Sequence, residues 1–344
     1  MNFASDNQAG VHPDVINALA RASQGGAAAY GDDGLSAEAE AAVAACFERD
    51  CSVFFVTTGT AANALGLSSL CPPWGAIYCH TGAHILNDEN TAVELLSGGA
   101  RLVGIDGEAG KPDLAAMARQ IEQATTHGVH NASPAVISLS NVTESGTVYR
   151  PDELQAFRTL AHEHQMALHV DGARFANALV ATGASPADLS WRSGVDVLSF
   201  GLTKNGGMAA EAVVLFDGAQ AEEFAYRRKR AGQLWSKHRF LAAQWLALLA
   251  NDTWLANARH ANAMAQKLAE GLASIQGVTL PWPVQANELF PILPPPLRQR
   301  LIDAGVSFYD WPGIDGMVRL VTHFATDPAE VDRLLTIAGE GSPA

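Results

Sequence analysis

Lysine is scarce in this 344-residue chain: Lys111, Lys204, Lys229, Lys237 and Lys267 are the only five. Four lie in polar or helical contexts. Lys204 instead follows the apolar run Val195-Asp196-Val197-Leu198-Ser199-Phe200 and precedes Asn205-Gly206-Gly207. That order predicts a lysine at the carboxyl end of a strand, beside a turn, and ligands bind along that edge of open α/β sheets. An amine partly desolvated there has a lowered pKa and can form a Schiff base with a carbonyl. Standing alone, Lys204 would read as an ordinary turn lysine.

It has company. Ala167-Leu168-His169-Val170-Asp171 is an apolar stretch that ends in an acid. A connection of about thirty residues leads on to the Lys204 strand, a length that suits a crossover between parallel neighbours. Asp171 and Lys204 are therefore expected along one sheet edge, although Asp171 by itself would read as a helix cap. A carboxylate against a pyridine nitrogen keeps that nitrogen protonated, which makes the ring the electron sink that pyridoxal phosphate (PLP) chemistry needs. Val56-Thr57-Thr58-Gly59-Thr60-Ala61-Ala62-Asn63 adds a strand, a small-residue turn and a helix start. Gly59 permits close backbone approach, and the free amides with the Thr60 hydroxyl form an anion site suited to a cofactor phosphate. Neither a Walker lysine nor a GxGxxG motif is present, so a nucleotide site is poorly supported.

Arg319 sits on the apolar run Met317-Val318-Arg319-Leu320-Val321-Thr322. A guanidinium there needs a carboxylate partner, and a substrate carboxylate held through two hydrogen bonds would serve. His84, with Glu89 five residues on, and His130, before another strand, are candidate general bases; each reads equally well as a polar group satisfied within the fold. The pairs His127/His130 and His162/His164 lack completing ligands, so no metal site is expected. Cys46, Cys51, Cys71 and Cys79 fit neither a CxxC pair nor a disulfide framework and are expected to be reduced packing thiols.

These groups must be held by a sheet. Short β-rich runs over Ser52–Thr57, Ala76–Cys79, Arg101–Ile105, Ala135–Ser140, Ala167–Val170, Val195–Phe200 and Ala212–Phe216 alternate with helical stretches, the signature of a mostly parallel sheet. The Ala-rich segment Ser36–Phe47 predicts a helix with Ser36 as a possible cap. Long helices are expected from about Gln220 to Asn251 and from Thr253 to Ser274, then a strand over Met317–Thr322 and a closing helix near Pro328–Ile337. This divides the chain into a large α/β domain with an N-terminal arm, residues 1–245, and a smaller α/β domain, residues 246–344.

Charge and composition narrow the partners. Lys plus Arg total 22 against 36 Asp plus Glu, a formal net charge of -14, which repels phosphate backbones and anionic lipid. Nucleic-acid and membrane roles are not expected. The first residues, Met1 to Asp6, lack the basic and apolar regions of a secretion signal, and a cytoplasmic location is the expectation.

Taken together, the motifs resemble the low-specificity L-threonine aldolases of PLP fold type I, the aspartate-aminotransferase fold. The resemblance runs through Ser5-Asp6-Asn7, Tyr30-Gly31-Asp32-Asp33, Gly59 through Asn63, His84 with Glu89, His169 through Arg174, Ser199 through Lys204, and Arg319-Leu320-Val321-Thr322-His323. It implies a large domain built on a mostly parallel seven-stranded sheet flanked by helices, with PLP as cofactor and Lys204 as the lysine bonded to it. It further implies that Asp171 partners the ring nitrogen, that Arg174 meets the ring hydroxyl or the substrate, and that His84 stacks on the ring. Gly59, Thr60 and Lys229 would hold the phosphate, and Ser5, Tyr30 and Arg319 the substrate. His130 resembles the second active-site histidine, and Tyr30 is expected to approach across a subunit contact in a homodimer or homotetramer.

The implied reaction is cleavage of L-threonine, L-allo-threonine and related L-β-hydroxy-α-amino acids such as phenylserine to glycine and an aldehyde. The same ring can serve β-elimination or transamination, and the scaffold can also serve a binding protein without catalysis. Two stretches depart from the better-known members. Asn205-Gly206-Gly207-Met208 replaces a glycine-rich run containing proline, and Ser236 stands where many relatives carry a phosphate-binding arginine, with Lys237 or Arg239 as possible substitutes.

Overall fold

The computed structural model describes residues 1–340. Its main sheet has seven strands: β1 (Ser52–Val56), β2 (Gly75–His80), β3 (Arg101–Ile105), β4 (Ser133–Ser140), β5 (Ala167–Gly172), β6 (Val197–Gly201) and β7 (Glu211–Leu215). They lie in the order β1-β7-β6-β5-β4-β2-β3. β7 is antiparallel to both neighbours and every other pairing is parallel. Strands covered on both faces read as continuous apolar runs: β6 and β7 are buried at every residue, whereas β3, at the sheet margin, is mixed. The seven expected runs are these seven strands, and the fold is the α/β architecture the motifs implied.

Two helical expectations are corrected. Asp33, not Ser36, caps the helix Gly34–Cys46: its Oδ1 accepts from the Ser36 amide at 2.9 Å and its Oδ2 from the Ser36 hydroxyl at 2.8 Å. Ser36 is thus inside the first turn. The stretch from Gln220 to Asn251 is two helices, Ala221–Arg230 and Arg239–Leu249. Gly232, at φ 73°, adopts the left-handed conformation that ends helices.

Phe47, Phe175, Phe200, Phe216, Trp245 and Trp254 lie in the core under the main sheet. A second core, containing Phe3, Leu268, Leu272, Leu289, Leu320 and Leu334, packs on a small antiparallel sheet. In that sheet Val318–Val321 lies between Glu288–Leu289 and Tyr309–Asp310. The helix Thr253–Ala273 contributes Trp254 and Ala258 to the first core and Ala265, Leu268 and Leu272 to the second. The N-terminal segment joins the small sheet, with the Phe3 amide donating to Ser307 O at 2.9 Å and the Val321 amide donating to Phe3 O at 2.7 Å.

The four cysteines are free, and burial pushes Cys46, Cys51 and Cys71 up to about 11 and Cys79 up to about 12. They are protonated near neutrality, in keeping with packing. Among the described residues no helix is long and apolar enough to cross a membrane.

His169 makes a measurable contribution to stability. It is fully buried on β5, with Nδ1 2.9 Å from Ser138 Oγ and Nε2 3.0 Å from Ser199 Oγ, and burial lowers its pKa to about 4. The unfolded chain binds a proton here below about pH 6.5 that the folded chain refuses until about 4, so stability falls as pH drops through that window. The loss is on the order of 3 kcal/mol. A His169→Gln variant should show a shallower fall in melting temperature between those pH values than the wild type; equal slopes would contradict the assignment.

Candidate active site

The strand register gathers the candidate residues on one edge. Ser140 on β4 is level with Asp171 on β5, and Asp171 is level with Ser199 on β6. Two residues further on, Gly201 pairs with Glu211 on β7, and Glu211 pairs with Val56 on β1. Lys204, His84 and the Thr57-to-Thr60 turn follow the carboxyl ends of β6, β2 and β1 at this edge.

Lys204 is half-buried in a single turn of 3-10 helix after β6. The turn is pinned from below: Asn205 Nδ2 donates to Trp254 O at 2.7 Å, and Asn257 Nδ2 donates to Asn205 O at 2.9 Å. Gly206 has φ 110°, and a Cβ there would lie 3.0 Å from His12 Cβ. Asn205-Gly206-Gly207 thus holds the Lys204 turn through Asn205, Gly206 and Asn257. Beside it, Glu211 is buried, hydrogen-bonded by Thr203 and within electrostatic reach of Lys204; burial pushes its carboxyl up to about 7.

Asp171 is buried, accepting from the Ala173 amide at 2.9 Å and from Asn63 Nδ2 at 2.8 Å. Asn63 also donates to Glu89 Oε1 at 2.8 Å, and that oxygen lies 2.9 Å from His84 Nδ1. One chain of hydrogen bonds thus ties the half-exposed His84 ring to Asp171. The Glu89 hydrogen bond raises the His84 pKa above its ordinary value, while burial raises that of Glu89. Behind them Glu144 accepts from the His84 amide at 2.8 Å and from Ser140 Oγ at 2.7 Å; burial pushes it up to about 7.

On the other side, Thr58 caps the helix Gly59–Leu70 by accepting from the Ala61 amide at 3.1 Å. The Gly59 and Thr60 amides of the first turn are left free. A Cβ built at Gly59 would meet nothing within 4 Å, so the space over this helix start is open. Gln233 holds the turn, its Oε1 accepting from the Thr57 amide at 3.0 Å and hydroxyl at 2.8 Å.

The third wall is a buried charge cluster. Arg174 donates to both oxygens of Asp6, at 2.7 and 3.0 Å, and its Nη2 lies 3.1 Å from Glu288 Oε1. Asp6 also accepts from Asn287 Nδ2 at 3.1 Å. Arg319 lies beneath the Tyr309 and Trp311 rings, 5.3 and 5.6 Å from their centroids. Its Nη2 donates to Ala4 O at 3.3 Å, and its Nε is buried without a partner. That carbonyl is next to Ser5, whose hydroxyl accepts from the Asn7 amide at 3.2 Å.

Some expected residues stand apart. His130 is exposed in the turn before β4, at the end of that strand remote from Lys204. Seven residue steps of β4 separate the two ends by roughly 23 Å. His130 is therefore not in its own chain's cleft. Lys229 is exposed, its Nζ 4.4 Å from the centroid of Tyr30, itself 47% exposed. Arg239 Nε donates to Ala22 O at 2.9 Å, which commits it elsewhere, whereas Lys237 is exposed. Asn63, Glu144, Glu211, Gln233 and Glu288 are the site-facing polar residues that sequence reading did not assign. Asn63 closed a motif already quoted, whereas the others sit in runs with no chemical spacing to mark them.

The donor set fits PLP. Free helix-start amides suit a phosphate, a buried carboxylate suits a protonated pyridine nitrogen, the imidazole of His84 is half-exposed, and Lys204 is half-buried on the same sheet edge. Asn63 Oδ1, Glu89 Oε2 and Arg319 Nε, on residues that line this site, are buried without partners. Among the described residues no group of three or more His, Cys, Asp or Glu is arranged to hold a metal.

Comparison with known proteins agrees. Residues 2–293 match the beta-eliminating lyase family. The low specificity L-threonine aldolase of Pseudomonas aeruginosa is 45% identical over 96% of this chain and 95% of its own. That of a Pseudomonas species is 43% identical over the same shares. A threonine aldolase structure from Leishmania major superposes with a TM-score of 0.91 at 30% identity, covering 98% of each chain. By motif, fold and likeness, the chain belongs to the PLP-dependent beta-eliminating lyase family, in the branch of the low-specificity L-threonine aldolases.

Proposed function

We propose that this cleft cleaves L-threonine, L-allo-threonine and related L-β-hydroxy-α-amino acids to glycine and an aldehyde, with Lys204, Asp171, His84 and Arg319 as the working residues. The observation that carries the reading is the hydrogen-bonded chain from Asp171 through Asn63 and Glu89 to His84, beside Lys204 on one sheet edge. When bound, PLP supplies the electron sink that accepts the pair released as the Cα–Cβ bond breaks.

Lys204 would hold PLP through its amine, which is also the group placed to move a proton at Cα. Gly59 and Thr60 offer amides to the phosphate, with Lys229 as a charge from a neighbouring copy. Asp171, buried at the base of the cleft, would face the ring nitrogen, where a carboxylate favours the protonated pyridine. Arg319, with the Ser5 hydroxyl and Arg174 beside it, would take the substrate carboxylate and so orient the bonds at Cα. His84 donates its Nδ1 proton to Glu89, leaving Nε2 to take the proton of the β-hydroxyl.

Exposed Tyr30 and the remote position of His130 support a homodimer or homotetramer in which a neighbour completes each site. A cytoplasmic enzyme with a large domain to about residue 245 and a smaller one after it fits this reading. Purified holoenzyme given L-threonine should release glycine and acetaldehyde in equal amounts; pyruvate or 2-oxobutyrate with ammonia as the main products would overturn it.

Glu89 sets a pH dependence. As a base, His84 must be neutral, so kcat/KM should rise with pH through an inflection above the usual histidine value, because Glu89 stabilises the imidazolium. Glu89→Gln removes that charge, and its acid limb is expected to move to lower pH while the maximal rate falls. An unmoved acid limb would exclude His84 as the titrating base.

A further inference from the structure

We propose that Glu288 is an internal rival for the guanidiniums that receive the substrate carboxylate, and that carboxylate binding makes it yield by taking up a proton. This rests on Arg319 as the carboxylate grip.

Asp6, Glu288, Arg174 and Arg319 form a closed set of two acids and two guanidiniums. Glu288 Oε1 lies 3.1 Å from Arg174 Nη2 and 3.9 Å from Arg319 Nη1, and its side chain is 1% exposed. Its Oε2 is buried without a partner, as is Arg319 Nε. Arg174 is already committed through two hydrogen bonds to Asp6. A third carboxylate arriving at Arg319 therefore leaves three anions sharing two guanidiniums, with only Lys204 as a further cation in reach.

One of the acids must be neutralised, and the surroundings choose Glu288. Asp6 is held by Arg174 and Asn287, and its pKa is lowered. The charged groups facing Glu288 are Asp6 on the N-terminal segment, Arg174 after β5, Arg319 on the adjacent small-sheet strand and Lys204 after β6. Burial outweighs the three cations and raises its pKa, and a further anion raises it again.

Its backbone is held in place. Its backbone is paired with Val321, and a Cβ at Gly146, which has φ 75°, would come within 2.8 Å of Glu288 O. The proton would settle on Oε2, turning an unmet acceptor into a donor toward the incoming carboxylate. Carboxylate affinity should therefore weaken as pH rises into the range where Glu288 is ionised in the free holoenzyme. Glu288 acts here as a positioning residue, through the charge on Arg319.

Propionate is the probe, since it offers the carboxylate without the reacting amine. Calorimetric titration of holoenzyme at about pH 8 in two buffers of different ionisation heat counts protons taken up, to a limit of about one per site. Uptake at the Lys204 nitrogen shows separately in the visible absorption of the holoenzyme. Wild type should take up protons beyond that absorption change. Glu288→Gln should not, and should bind propionate about tenfold tighter at this pH, the equivalent of one pKa unit.

Equal uptake in both proteins, with binding abolished by Arg319→Ala, would overturn the role of Glu288 alone. Binding indifferent to Arg319→Ala would overturn the grip as well as its rival. Should Glu288→Gln fail to fold, the wild-type profile from about pH 6 to 9 decides: affinity that weakens more than the absorption change explains supports the inference, and flat affinity overturns it.

Discussion

Lys204→Ala is expected to abolish the covalently linked visible band of the holoenzyme and to lower turnover roughly ten-thousand-fold. No other lysine can stand in. Lys111 pairs with Glu153 and Lys267 with Asp332, each at 2.5 Å, while Lys229 lies against Tyr30 and Lys237 is exposed. The fold should tolerate the change, since the turn is held by Asn205, Gly206 and Asn257 rather than by the amine. Added PLP should still bind, through the phosphate turn and Asp171, but reversibly. Retention of the linked band, or a loss of turnover under tenfold, would remove Lys204 from the centre of the mechanism.

Asp171→Asn should cost roughly a hundred- to a thousandfold in kcat, the range for losing one preorganised electrostatic partner of the reacting charge. Asparagine can still accept from the Ala173 amide or Asn63, so folding and cofactor binding should survive. What would be lost is the carboxylate proposed to face the ring nitrogen. KM should move much less than kcat, because the proposed grip on substrate lies elsewhere, at Arg319 and Ser5. A variant losing affinity for substrate with kcat intact would assign Asp171 to binding instead.

Much of this site was legible in the sequence because its residues sit at strand ends, where an apolar run stopping at a charged or small residue marks both the element and the edge. Asp171, Lys204 and the Thr57-to-Thr60 turn were found in this way. Helix boundaries were less legible: Ser36 resembles a cap, but the Asp33 carboxylate reaches the Ser36 amide first. Glu288 and Glu211 escaped because a buried acid on a short strand carries no periodic signature; what gives each a role is the cation brought to it from a distant part of the chain. His130 shows the converse, since its likeness to the family's second active-site histidine says nothing of which end of β4 it occupies. The Asn63 bridge between Asp171 and Glu89 depends on a helix and a strand meeting side by side, a juxtaposition that neither segment encodes alone.

The most direct test of the account is to reduce the holoenzyme with borohydride, digest it and locate the cofactor adduct by mass spectrometry. The account predicts a single pyridoxyl adduct, on Lys204. An adduct on Lys111, Lys229, Lys237 or Lys267 in place of Lys204, or none on any lysine, would contradict it.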